Sequence, residues 1–189
     1  MPFPTLSRPC LRLFPHPCLR LLAVVTAAVL GGCGGTGDEF APPCPAAAIL
    51  GDAADLTRYR GANQDLTDMV LSGRITGLSG SCKRADKGAV VLTTVRVALE
   101  LTRGPAAPGR VANAAYFVAL TRGETIVAKR VFPLHAEFPP NTERVRFTGD
   151  EVEIPVPNRG TDSVAAYRIL VGFELTPQEL AINRRRSAR

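Results

Sequence analysis

Over most of this chain, apolar and polar positions alternate with a period of two. The longest run is Ala89 to Arg103. Val91, Thr93, Val95, Val97, Leu99 and Leu101 share one face, and Thr94, Arg96, Glu100 and Thr102 share the other with Val90, Leu92 and Ala98. A pleated strand sends successive side chains to opposite faces, so this run predicts a half-buried strand. Leu71, Gly73, Ile75 and Gly77 alternate with Ser72, Arg74 and Thr76, until Leu78 breaks the rhythm and predicts a bulge. Cys82 follows, then a polar turn from Lys83 to Gly88. The breakers of Gly104-Pro105-Ala106-Ala107-Pro108-Gly109 mark a loop. Ala114 to Thr121 and Thr125 to Phe132 predict a hairpin across Arg122-Gly123-Glu124. Leu134, Ala136 and Phe138 then alternate with His135 and Glu137, up to a turn at Pro139-Pro140-Asn141. Glu143 to Thr148 and Glu151 to Val156 read as two short strands, or as one interrupted at Gly149-Asp150. Pro157 to Asp162 turns the chain again. Ala166 to Leu175 is the last strand, with Tyr167, Ile169, Val171, Phe173 and Leu175 on one face.

Before the alternation begins, Ala46 to Gly51 is short and apolar, a strand or a helical turn. Asp52 to Thr57 suits a brief turn or helix, and Arg58 to Gln64 reads as loop. Only the end has a helical signature. Thr176-Pro177-Gln178-Glu179 provides an N-cap, a proline at the first helical position and a glutamate that completes a capping box. Leu180, Ala181 and Ile182 would dock one short turn, with the arginines beyond frayed. Seven or so strands without intervening helices predict an all-β fold: a single antiparallel β-sandwich over residues 46–183, then a basic tail over 184–189. The layout resembles immunoglobulin and fibronectin type III modules in architecture alone, without a core tryptophan. A lipocalin-type barrel is the other closure open to such strands.

Net charge changes the picture less than its value of +6 suggests. Of the 23 lysines and arginines, Arg8, Arg12 and Arg20 lie near the start, and Arg184, Arg185, Arg186 and Arg189 at the end; the remaining 16 face 17 acids. The body is near neutral, which argues against nucleic-acid binding. The cysteines divide by position. Cys10 and Cys18 fall in the first segment and Cys33 at its end, leaving Cys44 and Cys82 as a pair. A disulfide between them closes a loop of about 38 residues, worth roughly 3 to 4.5 kcal/mol in the chain-entropy model. A metal pair or two buried thiols are the competing readings, though two cysteines without nearby histidines make a poor zinc site.

The first segment carries the location signal. The apolar run Leu21 to Leu30 follows Arg8, Arg12 and Arg20, and no acid occurs before Asp38. A cationic start, a short apolar core and small residues at the cut are the parts of an export signal. The run has about half the ~20 apolar residues that a membrane-spanning helix needs. Leu30-Gly31-Gly32-Cys33 resembles the lipobox of bacterial lipoproteins, which is an aliphatic residue, two small ones and a cysteine. That resemblance implies a signal peptide over 1–32, cleavage before Cys33, and a diacylglycerol on its sulfur with acylation of the new amine. The five prolines upstream depart from the family's usual start. Gly34, in place of Asp, implies outer-membrane sorting. Residues 33–45 then read as a lipidated tether, flexible at Gly34-Gly35-Thr36-Gly37-Asp38 and stiffened by Pro42, Pro43 and Pro45. The whole chain is also similar to small alphaproteobacterial envelope lipoproteins. The similarity rests on Cys44-Pro45, Leu56 to Arg60, Asp65 to Asp68, Ser79 to Cys82 and Val171 to Leu180. It implies an envelope location and no particular activity.

Candidate chemistry is sparse. The mature chain would hold one histidine, His135, whose strand-like neighbours suggest that it faces outward. Gly77-Leu78-Ser79-Gly80-Ser81 resembles a nucleophile elbow but lacks the last glycine and precedes a turn, not a helix. Asp52, Asp55, Asp65 and Asp68 cluster loosely without the spacing of a calcium loop. No catalytic residues, metal ligands or cofactors are assigned. Arg58, Tyr59 and Arg60 mix cations with an aromatic ring and are the candidate interaction residues, against the plainer reading of arginine stems packed on a tyrosine. The terminal arginines are candidates for contact with anionic head groups. The expectation is a periplasmic, lipid-anchored module that contacts an envelope protein or the cell wall. A small-ligand carrier with a barrel cavity is the alternative, and a hydrolase using His135 a third.

Overall fold

The computed structural model describes residues 44–61, 64–160 and 162–188. The signal segment, the Leu30-Gly31-Gly32-Cys33 motif and the tether as far as residue 43 lie outside the described residues. Nine strands follow in chain order. They are β1 (Ala46–Ile49), β2 (Asp55–Tyr59), β3 (Met69–Ala85), β4 (Val90–Arg103), β5 (Val111–Arg122), β6 (Thr125–Glu137), β7 (Arg144–Thr148), β8 (Val152–Pro157) and β9 (Tyr167–Phe173). Helix α1 (Pro177–Ser187) closes the described chain. One sheet has the order β1-β9-β5-β6; the other has β2-β3-β4, with β7 and β8 sharing the far side of β4. The expected all-β sandwich is the fold. The two sheets do not close into a barrel, so the barrel closure is set aside.

The core is the apolar face that the alternation marks out. Val91, Val95, Val97, Leu99 and Leu101 of β4 are buried against Tyr116, Val118 and Leu120 of β5 and Ile169, Val171 and Phe173 of β9. Fully burying such side chains is worth about 1.5–3 kcal/mol each. Gly73 allows a close approach within the core. A Cβ there would stand 2.7 Å from Leu101 Cδ2 and 2.9 Å from Phe173 Cζ, so only glycine fits without repacking. The β5–β6 hairpin turns through Gly123, whose φ of +58° suits the first central position of a two-residue turn.

Backbone bonds fix which groups each edge strand leaves unpaired, because the N–H and C=O of one residue point the same way. Glu174 N–H donates to Ala115 O at 2.8 Å, so odd residues of β5 face β9 and even ones face β6. Given the pairing Tyr116 with Phe132 and Val118 with Arg130, β6 turns residues 129, 131 and 133 to its free edge. Gly149 N–H donates to Val97 O at 2.8 Å, so odd residues of β4 face β7 and β8. Val91 pairs with Val156 and Thr93 with Ile154, which leaves residues 153, 155 and 157 on the free edge of β8. Pro133, Pro155 and Pro157 therefore sit where a donor would be exposed.

Several local expectations change. The sandwich is not wholly antiparallel, because β1 pairs with β9 in parallel, Ala46 opposite Arg168 and Ile49 opposite Val171. Asp55–Tyr59 is a strand where the sequence reads turn then loop: β3 supplies its partner, with Asp55 opposite Arg74 and Thr57 opposite Ser72. β3 runs through Ala85, so the turn shrinks to Asp86–Gly88. Its bulge falls between Ile75 and Gly77, two residues before Leu78. β6 is one strand through Pro133, which its edge position tolerates. α1 has 11 residues and takes in Arg184, Arg185 and Arg186, so the boundary at 183/184 and the frayed tail do not hold. Cations suit the negative end of the helix dipole. Arg184 also bonds Asp52 at 3.1 Å and Arg186 bonds Thr57 at 2.9 Å.

Candidate functional site

The residues singled out for interaction are mostly occupied inside the domain. Arg58 Nε donates to Glu179 Oε1 at 3.0 Å, and its Nη1 to Asn113 O at 2.8 Å. Glu179 is buried, and its other oxygen accepts from Thr176 N–H at 2.8 Å, so one carboxylate caps α1 and docks it on β2. Tyr59 accepts from Arg186 Nη2 at 2.8 Å through its hydroxyl. Asn183, also buried, donates to the carbonyls of Asp52 and Asp55 at 2.8 and 2.7 Å. Arg60 reaches Asp68 only at 3.8 Å from an exposed position, a pairing of little energetic weight. Arg58 and Tyr59 thus help fasten the helix to β2.

Cys44 and Cys82 are joined, their Cα atoms 5.7 Å apart, tying the start of the domain to β3. Beside the bond is a groove of about 450 Å³ lined by Pro45, Ala48, Ile49, Leu78 and Val95. A second apolar groove, of about 260 Å³, lies between the free edges of β6 and β8 over Val118, Leu120, Val152 and Ile154.

The outer face of the β2-β3-β4-β7 sheet is different in kind. Register places Asp55, Arg74, Glu100 and Arg146 in one row across four strands, with charges alternating. Arg74 donates to both oxygens of Asp55, at 2.7 and 3.1 Å, and this bond holds its guanidinium pKa above the usual value. Arg146 pairs with Glu100 at 3.0 Å. The next row is Thr57, Ser72, Thr102 and Arg144. Arg186 closes its β2 end by donating to Thr57 Oγ1. Arg144 closes the other end and shares Glu100 with Arg146, at 3.2 Å. A polar groove of about 270 Å³ lies over both rows. Sequence spacing alone does not reveal this cluster, because its members come from four strands and a helix. The one local signal is Arg144-Val145-Arg146, which puts two arginines on one face of a strand.

Other candidates separate. His135 faces out on β6, its Nδ1 2.8 Å from Asn113 Oδ1. Gly77 to Ser81 lies within β3 and not at a strand-to-helix turn. The four aspartates are used singly: Asp52 with Arg184, Asp55 with Arg74, Asp68 with Arg60, and Asp65 as acceptor from Thr67 N–H. The last bond holds the Asp65 pKa below the usual value. Among the described residues no helix is long and apolar enough to cross a membrane. In comparisons with known proteins, no family model, curated protein or solved structure matches the chain.

Proposed function

We propose that the chain is a lipoprotein held at a membrane face of the cell envelope, its β-sandwich serving as a structural or protein-interaction module in the periplasm. The observation that carries this reading is Leu30-Gly31-Gly32-Cys33 at the end of a short apolar run preceded only by basic charge. Acyl chains on Cys33 would supply the anchor, since each buried CH₂ contributes about 0.8 kcal/mol and two or three chains hold where one does so only marginally. Gly34 after the cut favours the outer membrane. The Cys44–Cys82 bond supports an oxidising compartment. The reading assigns no catalysis to the domain. The carrier alternative needs a barrel interior, whereas the core here is filled by side chains from both sheets. A hydrolase would need His135 beside a nucleophile, and its hydrogen-bond partner among the described residues is Asn113.

Metabolic labelling with an alkyne fatty acid tests the anchor. The wild-type protein should take up label and float with membranes, and Cys33→Ser should lose the label and retain the uncleaved leader. An unlabelled wild-type protein, free in the periplasm or the cytosol, would overturn the reading.

A further inference from the structure

We propose that the hydroxyl row on the outer face of the β2-β3-β4-β7 sheet binds carboxylates of the cell-wall polymer, joining a membrane-held domain to the wall. The inference rests on the envelope reading above and names the partner within it. The row Thr57, Ser72, Thr102 and Arg144, closed by Arg186, contains two cations, three hydroxyls and no acid. Such a set is rich in donors and selects an oxyanion over a cation or an apolar group. Guanidinium forks match carboxylates bidentately. Arg186 bonds two neutral oxygens, those of Thr57 and Tyr59, and Arg144 holds only a share of Glu100. Both can add an acceptor without breaking an exclusive ion pair. The neighbouring row, Asp55 to Arg146, is balanced, so the excess positive charge is local to the hydroxyl row.

Placement favours the wall over the lipid head groups. The chain enters the sandwich at Cys44, bonded to Cys82, and Ser72 lies ten residues back along β3. At about 3.3 Å per residue the hydroxyl row is roughly 30 Å from that bond. Ten residues lie between Cys33 and Cys44. The point where the described chain enters the sandwich and the hydroxyl row thus lie toward opposite ends of β3. From β2 to β7 the row spans three strand spacings, about 14 Å, room for more than one carboxylate of an extended polymer.

The test is co-sedimentation of the mature protein, extracted in non-ionic detergent, with purified peptidoglycan sacculi. Saturable binding that weakens as salt is raised is expected. Arg144→Gln with Arg186→Gln should lower affinity by about tenfold. Arg146→Gln, which leaves the hydroxyl row intact, should change it less than about twofold. Glu100→Gln frees Arg144 and Arg146 from their carboxylate and should raise affinity by about two- to fivefold, whereas a purely structural role for the pair gives no gain. Sacculi with amidated carboxylates should not bind. Wild-type affinity in the double variant, undiminished binding to amidated sacculi, or transfer of the same arginine dependence to phosphatidylglycerol vesicles would overturn the proposal. Fatty-acid labelling of Cys33 is read separately in cells, so loss of the anchor and loss of wall binding are distinguishable.

Discussion

The two long sides of this sandwich are closed by different means. On one side the free edges of β1 and β3 are tied by Cys44–Cys82, and α1 is fastened to β2 by Arg58, Asn183 and Arg186. On the other side β6 and β8 meet no covalent tie, and an apolar groove runs between them. That side is guarded by what it lacks: Pro133, Pro155 and Pro157 remove donors from the free edges. An exposed strand edge is a template for pairing with another chain, and proline on the edge is a recognised defence. One side is held by added bonds and the other by withheld ones. Changes to the first should therefore cost folding stability, and changes to the second should alter association.

The largest effect expected is on the tied side. Cys82→Ser should lower unfolding free energy by about 4 kcal/mol, the chain-entropy value for the loop of 38 residues. Urea unfolding of the wild-type protein under reductant should coincide with that of the variant; unchanged midpoints would show that the tie contributes nothing. Next comes Asn183→Ala. It strands the half-buried carbonyls of Asp52 and Asp55, at a cost of about 1–3 kcal/mol, and should loosen α1 before the sheets. Hydrogen exchange confined to α1 and β2 is the readout, and uniform loss across the domain would contradict a local role.

A smaller effect distinguishes the untied side by pH. Tyr116 of β5 stacks on Phe132 of β6 with ring centroids 5.1 Å apart. Burial, then the charge of Asp150, pushes its pKa above the usual tyrosine value. A raised folded-state value means that the unfolded chain ionises first as pH rises. The contribution is whole below about pH 10 and is lost as pH climbs through the folded value. Unfolding midpoints should fall in alkaline solution, and Tyr116→Phe should flatten that fall. An identical slope in the variant would place the titration elsewhere.

What the sequence makes legible follows the range of the interactions. The faces of β4 and β9 read correctly because alternation is local and the core needs it. The capping box at Thr176 and Glu179 is likewise contained within four residues, and it forms. Residues 55–59 mislead because Asp52-Ala53-Ala54-Asp55 carry turn chemistry, while the strand exists only beside β3. The arginine tail misleads for the same reason, since its partners Asp52, Thr57 and Tyr59 lie more than 120 residues earlier. Arg58 and Tyr59 are noticeable in sequence as a cationic-aromatic group, yet Glu179 and Arg186 occupy them. The row that can meet a partner is spread over four strands, and its register depends on a bulge in β3 that local pattern places two residues late.

The last expectation concerns the prolines themselves. Replacing Pro133, Pro155 and Pro157 together by threonine keeps every buried contact, because all three are exposed. Proline also restricts the unfolded chain, so each replacement should cost about 0.5 kcal/mol or slightly more in the monomer. The larger change is at the edges. β6 would then offer a continuous line of donors at residues 129, 131 and 133, beside the exposed Val127 and Val131. Such an edge pairs with a second copy, and the groove over Val118 and Ile154 supplies apolar surface for the contact to cover. Sedimentation velocity should show concentration-dependent dimers in the triple variant under conditions where the wild-type chain stays monomeric. Reverting Pro133 alone should remove most of the association, since β8 is short and β6 carries the longer edge. A triple variant that remains monomeric would mean that geometry, and not the missing donors, keeps this side of the sandwich apart from its neighbours.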